Sequence, residues 1–226
     1  MTRCFRLYRS LGPLLLTPLA AWLWWRHYDG NVPLAAIAVG VPILHAYIVP
    51  GIGINVLKMW SFTTLPGRLL PRHGFVFGGA TAILTLPLMG APNPVAAATA
   101  VLATGLLVGA VLLAVNWIYD ALALKYGILH VYNQPWARGE APWSVAADYV
   151  VWFFGGFGLL YGGGLRLAEA ELLTAPGLLK AAEIAVALVG ATISVPTLLY
   201  IAASNIRHGH SGCRPIARRE KPVSVP

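Results

Sequence analysis

Six stretches of the chain are almost continuously apolar: residues 11–27, 32–54, 74–91, 94–120, 145–164 and 178–204. Each is close to or above the roughly 20 residues that a helix needs to cross a bilayer's hydrocarbon core. Polar residues are gathered into the short connectors. The pattern predicts an all-α, polytopic membrane bundle of six transmembrane helices over residues 1–206, followed by a basic polar tail over 207–226. Proline and glycine mark the joints. Pro50-Gly51-Ile52-Gly53 ends or kinks the second helix, Gly90-Ala91-Pro92-Asn93-Pro94 is a tight turn, and Thr174-Ala175-Pro176-Gly177 opens the sixth. The fifth helix carries Gly155, Gly156, Gly158, Gly162, Gly163 and Gly164, and the four-residue spacing of Gly158 and Gly162 permits close helix contact. Arg3, Arg6 and Arg9 before the run Leu11–Trp25 give the start of the chain the look of a secretory signal. Its exit, Trp24-Trp25-Arg26-His27-Tyr28, lacks the small residues of a cleavage site, so an uncleaved first span is expected.

Composition agrees. Apolar residues make up 58% of the chain and charged ones 11%, and mean hydropathy is +0.69. Those values exclude a soluble globular domain and intrinsic disorder. The 226 residues hold roughly five to seven spans and leave no room for a separate soluble domain. The net charge of +8 does not point to nucleic acid, because the basic residues lie in the connectors rather than along one soluble face. There they set orientation and meet membrane lipid. Three precede the first run, three follow the second (Lys58, Arg68, Arg72), two follow the fourth (Lys125, Arg138) and five lie in the tail (Arg207, Arg214, Arg218, Arg219, Lys221). These 13 oppose three on the other side, Arg26, Arg166 and Lys180. The positive-inside rule then places both termini in the cytoplasm, with an even number of passes through the cell's inner (plasma) membrane. Cys4 and Cys213 fall on the cytoplasmic side, where reduced thiols are expected.

Ionisable groups inside spans are costly and usually functional or paired. Asp120 ends the fourth helix, and Asn116 and Trp117 share its face by helical spacing. Asp148 begins the fifth helix, with Trp152 one turn on. The intervening loop holds Tyr126, His130, Tyr132, Asn133, Trp136 and Trp143, which is too aromatic for a solvated connection and suggests a segment lying at the membrane interface or folding back into the bundle. One reading is an acid/base pair in an aromatic pocket, in which a desolvated carboxyl donates a proton, the other acid accepts one, and rings such as Trp117, Tyr119, Trp152, Phe153, Phe154 and Tyr161 stabilise a cation. The plainer reading pairs Asp120 with Lys125 or Asn116 and lets Asp148 favour a helix N-terminus. Glu169 and Glu171 read as solvated loop residues, Glu183 as a partner of Lys180, and His45 as a neutral histidine bonded to a neighbour. His208-x-His210 alone is a weak metal pattern. Neither a zinc motif nor the histidine boxes of membrane di-iron oxygenases occur, so no metal and no cofactor are expected. The roles of His73, His130, His208 and His210 stay open.

The segment from Tyr119 and Asp120 through Lys125, Gly127, Ile128, Tyr132 and Pro142 to Asp148, Phe153 and Phe154 resembles the lycopene cyclase domain of bacterial and fungal carotenoid cyclases. Where that family has an acidic pair, this chain has Asp148 followed by Tyr149. The resemblance implies a small helical membrane enzyme that cyclises the end of a long isoprenoid or carotenoid by protonation, without redox change. Asp120 and Asp148 would be catalytic. Asn116, Trp117, Tyr119, Tyr132, Trp152, Phe153 and Phe154 would contact the apolar substrate. The alternative is a non-enzymatic membrane subunit or small-molecule carrier or transporter, with the glycine-rich helix serving homo- or hetero-oligomeric assembly.

Overall fold

The computed structural model describes residues 2–63 and 73–217, with residues 2–10 as backbone only. Arg68, Arg72, Arg218, Arg219 and Lys221, and the side chains of Arg3, Cys4, Arg6 and Arg9, therefore lie outside the described residues. The chain is almost wholly helical. Its elements are α1 (Thr2–His27), α2 (Val32–Pro50), β1 (Trp60–Phe62), α3 (His73–Met89), α4 (Ala98–Lys125), β2 (Leu129–Val131), α5 (Gln134–Ala137), α6 (Pro142–Val150), α7 (Phe157–Leu172) and α8 (Leu178–His208). α2 runs on into a π-helical turn, Gly51–Val56, and a second π-helical turn, Val151–Gly156, joins α6 to α7 without a break.

Four of these continuous helices are long and apolar enough to cross a membrane: Val32–Val56, Ala98–Lys125, Pro142–Leu172 and Leu178–His208. α3 is apolar but has 17 residues, about 26 Å at 1.5 Å per residue, a little short of a ~30 Å core. α1 holds the first predicted span. The six apolar stretches thus each fall on a helix, although not all six reach spanning length among the described residues.

Local chemistry sets the boundaries. Asn31 caps α2 by accepting from Leu34 N at 3.1 Å, and Asn133 caps α5 by accepting from Trp136 N at 3.2 Å. Proline stands in the first turn of α2, α5 and α6, where its missing N–H is no loss. Gly209, at φ 74°, ends α8 in the left-handed region. The fifth predicted span, 145–164, extends to Leu172 because two charged residues beyond it are accommodated inside the bundle. Glu169 is fully buried, in contrast to the solvated loop residue expected. Its carboxylate is held by Arg166 at 2.6 Å, Tyr28 Oη at 3.1 Å and the Asn93 backbone N–H at 3.2 Å. Asn31 adds a bond to Leu172 O at 2.9 Å. This polar knot ties together the α1–α2 turn, the α3–α4 turn and the end of α7. Lys180 pairs with exposed Glu171 at 3.9 Å rather than with Glu183.

The core runs between α1, α2, α3, α4, α7 and α8, around Trp24, Leu34, Ile37, Leu112, Tyr161 and Leu165. Trp24 Nε1 donates to Ala82 O at 3.0 Å, and Tyr161 Oη donates to Ala38 O. α4 and α7 approach each other closely. A Cβ on Gly158 would stand 2.7 Å from Gly109 Cα, and one on Gly105 would stand 2.5 Å from Leu159 O. The glycine seam expected in the fifth helix therefore packs inside this chain, against glycines of α4. At the other end of the bundle β1 and β2 pair antiparallel, Trp60 opposite Val131 and Phe62 opposite Leu129. The aromatic loop after α4 does fold back. The residues after α8 return to it as well: Ile216 N donates to Tyr132 O at 2.8 Å, and His210 Nε2 bonds Gln134 Oε1 at 3.0 Å. The tail is thus docked on this loop as far as Ile216, although Arg214 and Pro215 stay exposed.

Candidate active site

A cavity of about 170 Å³ opens at the end of the bundle that carries the β-ribbon. α2 contributes Pro42, His45 and Val49, and the ribbon contributes Trp60, Phe62, Leu129 and Val131. α3 supplies His73, Phe77 and Thr81; α4 supplies Leu112, Asn116, Tyr119 and Asp120. Tyr149, Phe153, Phe154, Phe157 and Tyr200 complete the wall. The space is small. An engineered apolar cavity of about 150 Å³ takes one benzene, so this one fits a single ring-sized apolar group, not a whole long-chain lipid.

The π-helical turns shape it. Gly51 and Gly53 lie in the first, and the Trp60 ring occupies the place a Cβ on Gly53 would need, 1.9 Å away. Only glycine lets that ring lie against the helix at the cavity wall. In the second, i→i+5 bonding widens the turn so that the consecutive residues Phe153 and Phe154 both reach the cavity.

The two acids that the sequence groups together occupy different surroundings. Asp120 lines the cavity and is buried, 8% exposed. Tyr149 Oη donates to its Oδ2 at 2.7 Å. Among the described residues no Lys, Arg or His reaches ion-pair distance of it, so neither Lys125 nor Asn116 is its partner. Asn116 lines the cavity too, but its amide N–H donates to Leu112 O at 2.7 Å. Asp148 is not at a helix N-terminus, since α6 begins six residues earlier at Pro142. It does not line the cavity. Arg207 meets its Oδ1 at 2.8 Å, His208 Nε2 at 3.1 Å, and Asn133 donates to Oδ2 at 3.1 Å. It is a compensated carboxylate that fastens α8 to α6 and to the loop before α5.

Of the expected contact residues, Asn116, Tyr119, Tyr132, Phe153 and Phe154 do line the cavity. Trp117 does not. It is 38% exposed, and its Nε1 donates to Trp143 O at 3.0 Å, an outward aromatic pair. Trp152 is half-buried and also stands outside the cavity wall. Tyr161 is buried below it and stacks on Phe157 at 5.2 Å. Sequence reasoning missed Tyr149 and almost the whole first-half wall. His45 was expected to bond a neighbour, yet among the described residues its buried Nδ1 has no hydrogen-bond partner, and its ring centroid lies 4.3 Å from that of Phe157. Trp60 and Phe62 were the one visible hint, aromatic residues in the connector that forms β1. Of the open histidines, His73 lines the cavity, packed on Phe62 and Phe77, and His130 bonds Thr63 Oγ1 at 2.9 Å. His208 and His210 stack at 5.9 Å, and no cluster of three or more potential metal ligands occurs among the described residues.

No protein-family model matches the chain, and neither a curated protein nor a solved structure matches it.

Proposed function

We propose that the protein is a six-span membrane enzyme, with both termini in the cytoplasm, that protonates one end of a long apolar isoprenoid or carotenoid and so starts a redox-neutral cyclisation or isomerisation. The observation that carries this reading is Asp120: a buried carboxyl without a cation beside it among the described residues, bonded by Tyr149, in the wall of an aromatic cavity. An unpaired carboxylate is costly to hold in apolar surroundings, so the wall favours the neutral, proton-bearing acid. Tyr149 donates to Oδ2, which leaves the acidic proton on Oδ1. The cavity admits a ring-sized end group, and the rest of a polyene would trail outside it. The rings of Tyr119, Phe153, Phe154, Phe157 and Trp60 present π-faces to a cation formed there. The orientation rests on the distribution of Lys and Arg. The end of the bundle with the cavity holds Lys58, Lys125, Arg138, Arg207 and Arg214, and the end with the polar knot holds Arg26, Arg166 and Lys180.

Expression in a host that accumulates lycopene tests the proposal. Chromatography of the pigments is expected to show a new, isomeric product with the wild type and the host's own profile with Asp120→Asn. An unchanged profile with folded wild-type protein overturns it, and recovery of unaltered pigment bound to the purified protein would favour a carrier.

A further inference from the structure

The cavity wall is mostly hydrocarbon, and its polar groups are unevenly committed. Asn133 spends its amide on Val145 O, Asp148 and Trp136 N. The Tyr132 hydroxyl pairs with Ser61 Oγ at 3.0 Å, and the Tyr149 hydroxyl donates to Asp120 Oδ2. His73 and Thr81 lie eight residues apart on α3, about 12 Å along its axis, too far to meet one guest atom together. Asn116 and Asp120 differ. They stand four residues apart on α4 and both line the cavity. At that spacing side chains are neighbours, with Cβ atoms about 5–6 Å apart. An amide N–H of Asn116 is held by Leu112 O, which leaves Oδ1 as an acceptor. Asp120 has Oδ2 taken by Tyr149, so its neutral form carries a donor on Oδ1. Among the described residues neither Oδ1 has a partner, and neither is sealed off, in contrast to Nδ1 of His45.

An acceptor and a donor one helical turn apart complement a hydroxyl, which donates and accepts through a single oxygen. We propose that the cavity binds a long apolar molecule whose ring-sized end carries a hydroxyl, bridged between Asn116 and Asp120, and that this ligand keeps the acid from the hydrocarbon substrate. The binding half stands on the wall alone; the inhibitory half rests on the function proposed above. A cavity of about 150 Å³ takes a benzene ring, so about 170 Å³ takes a six-membered ring with one oxygen. Phe153, Phe154 and Phe157 offer the ring apolar faces, and the remainder of the molecule trails outside. A hydrocarbon end fits the same space, but it covers both oxygens without giving either a hydrogen bond, and burying unpaired polar atoms is costly. The alcohol therefore binds more tightly than the hydrocarbon. With the alcohol seated, the proton on Oδ1 is engaged by the guest's oxygen and is not offered to an alkene.

The test is calorimetric titration of the purified protein in detergent, corrected for partition of each probe into empty micelles. Cyclohexanol, cyclohexanone and methylcyclohexane share one ring and differ at a single substituent atom. The wild type is expected to bind cyclohexanol about tenfold or more tightly than methylcyclohexane, with cyclohexanone between them, because the three make two, one and no hydrogen bonds. Asn116→Leu should bring cyclohexanol down to the level of cyclohexanone. Equal affinities in the wild type, or a preference that survives Asn116→Leu, overturn the site. If Asn116→Leu does not fold, the order of the three probes on the wild type decides. In membranes that convert lycopene, cyclohexanol is expected to raise KM and leave kcat unchanged, and binding without that effect overturns the inhibitory half. A wild type that ranks the probes in this order yet converts no lycopene keeps the site and sinks the proposed reaction. One that converts lycopene but does not discriminate the probes does the reverse.

Discussion

Asp120 and Asp148 are both buried, at 8% and 4% exposure, yet one is held by a phenol and the other by an arginine, a histidine and an amide. That contrast separates their expected phenotypes. Asp120→Asn keeps the volume and a hydrogen-bond acceptor for Tyr149 but removes the acid, so conversion should fall by about 10²–10⁴-fold with little change in unfolding temperature. Asp148→Asn should instead act mainly on stability. A second contrast lies at the opposite end, between two glutamates only two positions apart. Breaking a buried ion pair on one side typically costs about 3–5 kcal/mol, whereas exposed pairs contribute about 0–1 kcal/mol. Glu169→Ala should therefore lower the detergent unfolding temperature strongly, and Glu171→Ala should leave it nearly unchanged. Equal shifts would show that the Arg166–Glu169–Tyr28 knot does not bear on stability. The sequence could not tell these glutamates apart, because besides the neighbouring Arg166 the partners that accommodate Glu169 are Tyr28 and Asn93, which lie far away along the chain. For the same reason Tyr149 was invisible as a partner of Asp120, and His45 as part of the same wall: both depend on helix packing that local pattern does not encode.

At the level of elements, continuous apolar runs located six helices, four of them of spanning length, and glycine spacing signalled a close contact, but not its partner. The seam lies between α4 and α7. Gly158→Ala would push a methyl into Gly109 Cα and Val108 O, where backbone has to move. A cost of about 1–3 kcal/mol is expected for such overpacking. Gly190→Ala, with nothing within 4 Å of the added carbon, should be neutral or gain up to about 1 kcal/mol of helix preference. Chemical unfolding of both variants checks the pair. The docked segment after α8 makes a prediction about pH. The His210 imidazole sits below its ordinary value of 6.5, first because it is partly desolvated and then because His208 and Arg214 repel its charge, against the pull of Asp148. Its Nε2 donates to Gln134 while Nδ1 accepts from Gly212 N at 3.1 Å, so the docked form needs the neutral ring. A histidine that binds its proton less readily when docked favours docking above pH 6.5 and opposes it progressively as pH falls through the lowered value. Protease cleavage within residues 209–217 should accelerate on acidification, and His210→Ala should remove that pH dependence. The sequence reading made this segment part of a basic polar tail because of its composition. The hydrogen bonds from Ile216 and His210 to the loop before and within α5 are long-range, and composition is silent about them.

For the whole molecule, the charge distribution makes the topology directly testable. In a Cys4→Ser background, Cys213 should resist an impermeant maleimide applied to intact spheroplasts and react in inverted vesicles. A cysteine at Ala175→Cys should behave the other way round. The same sidedness for both would overturn the proposed six-span arrangement. The two ends of the bundle also differ in build. One is closed by a buried carboxylate gripped from two separate connections and from Arg166 of its own helix. The other has the two widened helical turns, the short ribbon and a strap whose hold depends on one uncharged ring. The protein is thus built with a tied base and a rim assembled from short, irregular pieces. On the proposed orientation and function, a stiff, rod-shaped guest would tip in over that rim from the cytoplasmic leaflet, and a variant that stiffened the rim should slow loading and release while leaving the reaction of an already seated guest untouched.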